Sequence, residues 1–374
     1  MPRPRGAGMD ATDQLRPTNG SERPLARLPR WAVWAVLALL AACMALAAAD
    51  ALTPAAGSAT ATQTLDEGEG DLALYARISD RVMDGEGYYA AALAEHRAGN
   101  YPAFPFVTIR QPTLVMLHGL VGLDGARWLA MALLGATILA FLWRLRADAA
   151  PAERIAAGVL VLLGGALAIT PEAALIHEMW AGLLLSLSLA LYRPHRWWPA
   201  LVAAALALAV RELAAPFVLL WLAVALWQRR WGEAGAVAAV LVAFALGMAL
   251  HAGAVAEHRL ATDGVSQGWG AMAGPGLPLS ALARLTALLV LPAWLAAPLA
   301  LLPLLGWAGL GRRLGLFAFC WFGGFFLAMS LFARPENFYW VQLTLPAYLA
   351  GFAFVPRALA DLLAAGRGRN LSHS

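Results

Sequence analysis

Two charged pairs stand inside otherwise apolar sequence. Arg211-Glu212 interrupts "ALAVRELAAPF", and Arg334 and Glu336 sit in "ARPENFYW" together with Tyr339. Ionisable groups in an apolar segment are costly unless they face a cavity, a turn or a partner, so both pairs are candidate binding groups. A guanidinium presents a fixed fork of donors that suits a phosphate, which makes Arg211 the leading phosphate ligand. Each pair equally fits a plainer role, an Arg–Glu contact that closes a turn. A third concentration of charge is residues 70–89, "GDLALYARISDRVMDGEGYY", the most polar helix-patterned stretch of the chain. His177-Glu178 heads another apolar run and fits either a site or local helix-end pairing. His118, His251 and His258 have no motif partner, and Arg284 is one more cation that could meet phosphate.

The elements that must position these residues are membrane helices. Of 374 residues, 61% are hydrophobic and 13% charged, with a mean hydropathy of +0.65. Soluble domains are nearer half apolar and a quarter charged. The chain therefore reads as an all-α, polytopic helical membrane protein. About ten transmembrane helices can be laid out: 31–49, 126–143, 155–170, 174–192, 197–210, 213–227, 234–250, 287–307, 314–331 and 338–354. Several fall short of the roughly 20 residues a straight span needs, and the pairs around Pro171 and Arg211 fit re-entrant segments as well.

Charge decides the orientation. With Met1 inside, the inner segments carry Arg144, Arg146, Arg154, Arg193, Arg196, Arg229, Arg230, Arg312, Arg313 and Arg357, while the short outer turns carry only Arg211 and Arg334. This asymmetry predicts cytoplasmic N- and C-termini. All 27 basic residues are arginine, as expected of a GC-rich bacterial genome, and the net charge of +4 reflects topology rather than nucleic-acid binding. Residues 1–30 read as a disordered cytoplasmic arm, 31–357 as the transmembrane domain and 358–374 as a cytoplasmic tail. "ALAAADA" resembles a small-residue cleavage site, but the apolar run before it is long for a signal peptide and reads as an uncleaved anchor. Cys43 and Cys320 lie in apolar runs, so no disulfide framework is expected, and no Cys/His cluster has zinc spacing.

Two outer loops follow from this layout, 50–125 and 251–285. The first holds ten acidic residues against four arginines. Leu74, Tyr75, Ile78 and Val82 recur along one face, predicting an amphipathic helix over 72–83 that Gly85 and Gly87 end. A second helix is predicted over 88–98, stopped by Gly99-Asn100, and a third apolar stretch covers 113–121. Amphipathic helices of this kind are expected to lie on the outer leaflet. Asp71, just before Leu72, suits a helix N-cap.

"DLALYARISDRVMDGEGYY" resembles the start of the outer loop in GT-C-type integral membrane glycosyltransferases, above all the polyprenyl-phosphate-mannose-dependent mannosyltransferases. Asp71, Leu72 and Tyr75 match their Asp-Leu-x-x-Tyr, followed by Gly85 or Gly87 and Tyr88-Tyr89; Tyr88 departs from the Leu of that family. Tyr101-Pro102 and the "RQP" of 110–112 resemble what precedes the next span in related lipid-linked-sugar transferases. The resemblance covers only residues 71–112. It implies transfer of a sugar from a polyprenyl-phosphate donor to an acceptor hydroxyl, on lipid or glycan, at the outer face of the bacterial cytoplasmic (inner) membrane. Asp71 would then be the general base that takes the acceptor's proton. Asp66, Glu67 and Glu69 are rival bases, although "LDEGEG" reads more easily as solvated loop.

Tyr75, Arg110, Arg211, Glu212 and Arg334 would bind substrate, with Arg211 on the donor phosphate and Arg110 serving the acceptor or the fold. No divalent metal or cofactor is implied, and the partners are the lipid-linked donor, the acceptor and membrane lipids. Two other classes compete: a transporter or flippase for a lipid or polar solute, and a non-catalytic envelope-assembly subunit. No internal repeat of the transporter kind is visible. The topology is checked with single cysteines in a chain lacking Cys43 and Cys320. Cysteine at Gly70 or Gly264 should react with an impermeant maleimide in intact spheroplasts, and cysteine at Ala147 or Gly311 should not; labelling at the latter two alone reverses the orientation.

Overall fold

A computed structural model describes residues 23–52 and 70–367, so Asp66, Glu67, Glu69, residues 1–22 of the arm and the last seven residues lie outside the described residues. Fifteen helices follow in order: α1 (Arg30–Leu52), α2 (Asp71–Met83), α3 (Tyr88–Ala98), α4 (Thr113–Arg144), α5 (Pro151–Gly164), α6 (His177–Leu191), α7 (Trp198–Val210), α8 (Ala215–Trp227), α9 (Trp231–His258), α10 (Gly276–Leu285), α11 (Ala293–Leu299), α12 (Leu302–Leu310), α13 (Arg312–Phe332), α14 (Leu345–Tyr348) and α15 (Val355–Gly366). Among the described residues there is no strand, only an isolated bridge between Phe104 and Val265. The chain is an all-α membrane protein.

Among the described residues, six segments are long and apolar enough to cross a membrane: Arg30–Leu52, Phe106–Ala147, Trp231–His258, Ala293–Leu310, Arg312–Phe332 and Leu345–Gly366. The layout of ten differs because several apolar runs are broken. At 1.5 Å per residue, α6 reaches only about 22 Å, against a hydrocarbon core of about 30 Å. The breaks have local causes. Residues 165–176 form two 3₁₀ turns around Pro171, whose ring cannot continue a helix. Arg211 is extended, with φ −150° and ψ 119°, and separates α7 from α8. Gly122 takes φ 71° inside α4, a backbone state that glycine adopts without strain, and joins the third outer stretch to the span beginning at Ala126.

Other expectations change with the packing. The last part of the arm is ordered: Leu25 is buried against Ala358 and Leu362, and Arg23 pairs with Asp361 at 3.1 Å. Helix α15 runs on to Gly366, so the segment expected to be a tail from 358 begins as helix. The apolar face of α2 is covered by protein rather than turned to lipid. Leu74 and Ile78 pack with Leu93, Ile109, Val115 and Val255 in a small core of their own.

The main core centres on α6, which packs against α4, α7 and residues 335–343 and has all but two of its residues buried. A helix apolar on every side belongs in such a position. Within α6, Gly182 makes a close approach: a Cβ there would lie 2.3 Å from the carbonyl oxygen of Gln342. That contact sets residues 335–343 beside the second turn of α6. Gly182→Ala is therefore expected to overpack the junction by about 1–3 kcal/mol and lower the melting temperature in detergent. Gly323→Ala, where nothing lies within 4 Å, is the control; equal melting of the two variants would contradict the packing argument.

Candidate functional site

Gly70 occupies the N-cap of α2 with no side-chain bond, and Asp71 is the first helical residue. Asp71 is thus not the cap that its position before Leu72 indicates, although a carboxylate in the first turn still complements the helix dipole. One turn on, the Tyr75 ring packs edge-on to His177 at 5.1 Å and lies under the Arg110 guanidinium at 5.7 Å. The α2–α3 hairpin is held by ion pairs: Arg77 to Glu95 at 2.9 Å, and Arg81 to Glu86 at 2.6 Å and to Glu95 at 2.8 Å. The Arg81 bond, the largest cause, holds Glu95 below the usual carboxylate range, despite its partial burial.

A second latch ties this hairpin to the other outer loop. Arg97 holds Asp263 through Nε at 2.7 Å and Nη2 at 3.1 Å, and donates to the His258 carbonyl at 2.7 Å. The amides of Ala103 and Phe104 both donate to the Gly264 carbonyl, at 2.9 and 3.2 Å. Two of the histidines that carry no motif are bridges of the same assembly. His118 joins the Ser79 hydroxyl at 2.8 Å to the Ala174 carbonyl at 3.0 Å. His251 joins the Tyr89 hydroxyl at 3.1 Å to the Ile109 carbonyl at 3.0 Å.

Between the two loops and the helix ends lies a cavity of about 580 Å³. Asp71, Tyr75, Arg110, Arg211, Glu212 and Arg334 all line it, although they come from four separate parts of the chain. Arg284 is exposed and is not part of the lining. Tyr101 and Trp269 add aromatic walls that sequence reading did not single out as cavity residues, beside Tyr339, which it grouped with Arg334 and Glu336. Only an isolated aromatic in each loop signalled them, and aromatics are common at membrane surfaces.

The cavity's charges are organised by Glu178, which is buried at the head of α6. Its Oε1 accepts from Arg211 Nε at 2.7 Å and lies 3.6 Å from Arg110 Nη2. Arg211 also donates through Nη1 to Glu212. Two carboxylates therefore clamp Arg211, which is itself buried. Arg110 is freer. Its Nη2 is 3.4 Å from the Tyr339 hydroxyl, and its buried Nε has no partner. Arg334 donates to Gln267 at 3.0 Å and likewise keeps a buried Nε unpartnered. Buried donors without acceptors beside a cavity favour an anion.

Asp71 faces solvent through the cavity mouth, but the walls crowd its other side. That burial, with Glu178 adding to it, outweighs the Arg110 charge and the Tyr101 hydroxyl bond, and holds the carboxyl above the usual carboxylate range. A carboxylate so placed is a better base than a free one while remaining open to an incoming hydroxyl. Comparison with known proteins found no matching family model, no matching curated protein and no matching solved structure.

Breaking the buried pair by Arg211→Gln leaves Glu178 a buried anion short of one partner, at an expected cost of about 3–5 kcal/mol. Glu178→Gln should cost a comparable amount. The double variant is expected to lose less stability than the two losses added together, because no unpaired charge remains. Strict additivity in denaturant or thermal unfolding would mean that the pair is not energetically coupled.

Proposed function

We propose that the chain is a membrane-embedded glycosyltransferase of the GT-C type, transferring a sugar from a polyprenyl phosphate to an acceptor hydroxyl at the outer face of a bacterial cytoplasmic membrane. The reading combines the resemblance over residues 71–112 with one observation: an open carboxylate and two incompletely satisfied guanidinia line the same cavity. In this mechanism Asp71 accepts the proton of the acceptor hydroxyl as its oxygen attacks the anomeric carbon. The bond from that carbon to the phosphate oxygen breaks, and polyprenyl phosphate leaves with the electron pair. Arg110 and Arg334 meet the growing phosphate charge. Arg211, clamped by Glu178 and Glu212, holds the charge cluster in register behind them. Tyr101, Trp269 and Tyr339 offer ring faces to the apolar face of a pyranose. No cofactor enters this scheme; the lipid-linked sugar is a substrate.

The direct test incubates purified protein with labelled polyprenyl-phosphate sugars and a membrane lipid extract, wild type beside Asp71→Asn. Asn keeps the size and helix-start character of Asp but cannot take a proton. Loss of a general base costs about 10²–10⁴ in rate, or roughly 3–5.5 kcal/mol of barrier. Wild-type turnover should also fall as pH drops, because protonation removes the base. Since burial raises the Asp71 pKa, that acid limb should sit above the value near 3.9 of a free aspartate. The Asn variant should lack it. Turnover in Asp71→Asn within a few-fold of wild type would overturn the assignment of the base, and failure of every donor would overturn the transferase reading.

A further inference from the structure

A second cavity, of about 870 Å³, contains none of these groups. It lies at the other end of α6, lined by Ser188 to Pro194, by the last turn of α4, by α8 and by the start of α13. From Glu178 to Leu189 the α6 axis runs about 16 Å. Six arginines line this cavity: Arg144, Arg146, Arg193, Arg230, Arg312 and Arg313. Asp148 takes Arg144 and Arg312, and Glu233 takes Arg230. Arg193 lies 4.4 Å from the Trp143 ring centroid and donates to the carbonyls of Ala190 and Tyr192. Arg146 and Arg313 are exposed and have no partner among the described residues. Two carboxylates against six guanidinia leave a strong positive surplus. Burial, and then the like charge of Arg144, disfavour the Arg193 cation, a tension that an anion relieves.

Apart from Tyr192 and Gln228, the rest of the cavity wall is mostly apolar, with Phe217, Trp221, Leu316 and Phe317 on it. Trp143 and Trp227, both largely exposed, mark its rim. Tryptophans in such positions sit at headgroup level. One polar group is set deep inside: Ser188 is 1% exposed, lines the cavity, and its hydroxyl has no hydrogen-bond partner. A cationic rim, an apolar wall open at headgroup depth and a lone buried hydroxyl match one chemistry, a phosphate headgroup with ester oxygens and acyl chains. We propose that this cavity is a binding site for an anionic phospholipid of the leaflet at that end. Arg146 and Arg313 meet the phosphate, Ser188 donates to an ester carbonyl, and an acyl chain lies along Phe217 and Leu316. The site is separate from the cavity holding Asp71 and does not depend on the transferase reading.

The test uses the full chain in neutral detergent, with retention of added phosphatidylglycerol and phosphatidylcholine read by native mass spectrometry. Wild type should prefer phosphatidylglycerol, and Arg146→Gln with Arg313→Gln should weaken its binding by about tenfold or more, since each surface arginine contributes about 1 kcal/mol toward an anionic lipid. Both arginines are exposed and unpaired, so this variant should fold. Ser188→Leu, which fills the cavity, should lower retention of phosphatidylglycerol with the rim arginines intact. Arg154→Gln with Arg196→Gln, equal in charge but outside the lining, should change nothing. Equal retention of both lipids, equal loss in that control, or displacement of the lipid by millimolar inorganic phosphate would each overturn the proposal.

Discussion

The carboxylate of Glu178 lies at the head of a helix buried on nearly every side, within reach of Arg211 at 2.7 Å and Arg110 at 3.6 Å. Taking such ions out of water is expensive, and the cost is recovered only when the partners arrive in good geometry. The partners come from two distant places in the chain: the segment leading into α4 and the break between α7 and α8. The start of α6 can therefore be buried only if both are already positioned. The extended backbone at Arg211 ends α7, and from that position the guanidinium bonds Glu178. The cavity beside this cluster inherits its shape from it, since Arg110 reaches Tyr339 from one side while Arg211 is held from the other.

Charge has the same structural role at the opposite end. Asp148 accepts from Arg144 and Arg312, and its backbone carbonyl takes Arg357 at 3.1 Å, so one short turn gathers α4, α13 and α15. Between membrane helices the surrounding lipid is as apolar as the side chains, and association relies on close packing and polar contacts. Gly182 supplies the first and the two ionic clusters the second. The interior is thereby pinned at both ends, and each end keeps an open cavity lined by arginines beyond those its carboxylates neutralise.

The crowd of carboxylates in the first outer loop has a mixed explanation. Glu86 and Glu95 serve Arg77 and Arg81 within the α2–α3 hairpin, and Asp263 of the second loop serves Arg97. The Arg97 bond holds the Asp263 carboxyl low, whereas crowding holds that of Asp71 high. The contrast is one of partners. Asp263 has a guanidinium gripping both oxygens, while Asp71 has only a tyrosine hydroxyl and a more distant charge. This leaves Asp71 able to exchange a proton in a range where Asp263 stays ionised.

Composition and periodicity alone determined that the chain is helical and membrane-bound, and where α2 and α3 begin and end to within a residue; charge inside apolar sequence put Arg211, Glu212 and Arg334 on a short list, and the resemblance over residues 71–112 added Asp71, Tyr75 and Arg110. Those signals are local: apolar runs, glycine stops, and charges that are costly where they stand. The tertiary structure decided what each charge faces. Glu178 read as either a site residue or a helix-end group, and the structure makes it the hub of the cluster. Arg211 read as a phosphate ligand, yet two carboxylates claim it and leave Arg110 and Arg334 with unpaired donors. The breaks at Pro171 and Arg211 were visible in the sequence, and the helices on either side of them are too short for a straight crossing, which leaves six long segments among the described residues. Ion pairing joins residues 33, 68 or 166 positions apart, as in Arg211–Glu178, Arg110–Glu178 and Arg97–Asp263. No local pattern encodes such a pairing, because its energy depends on burial, and burial exists only once the chain is folded.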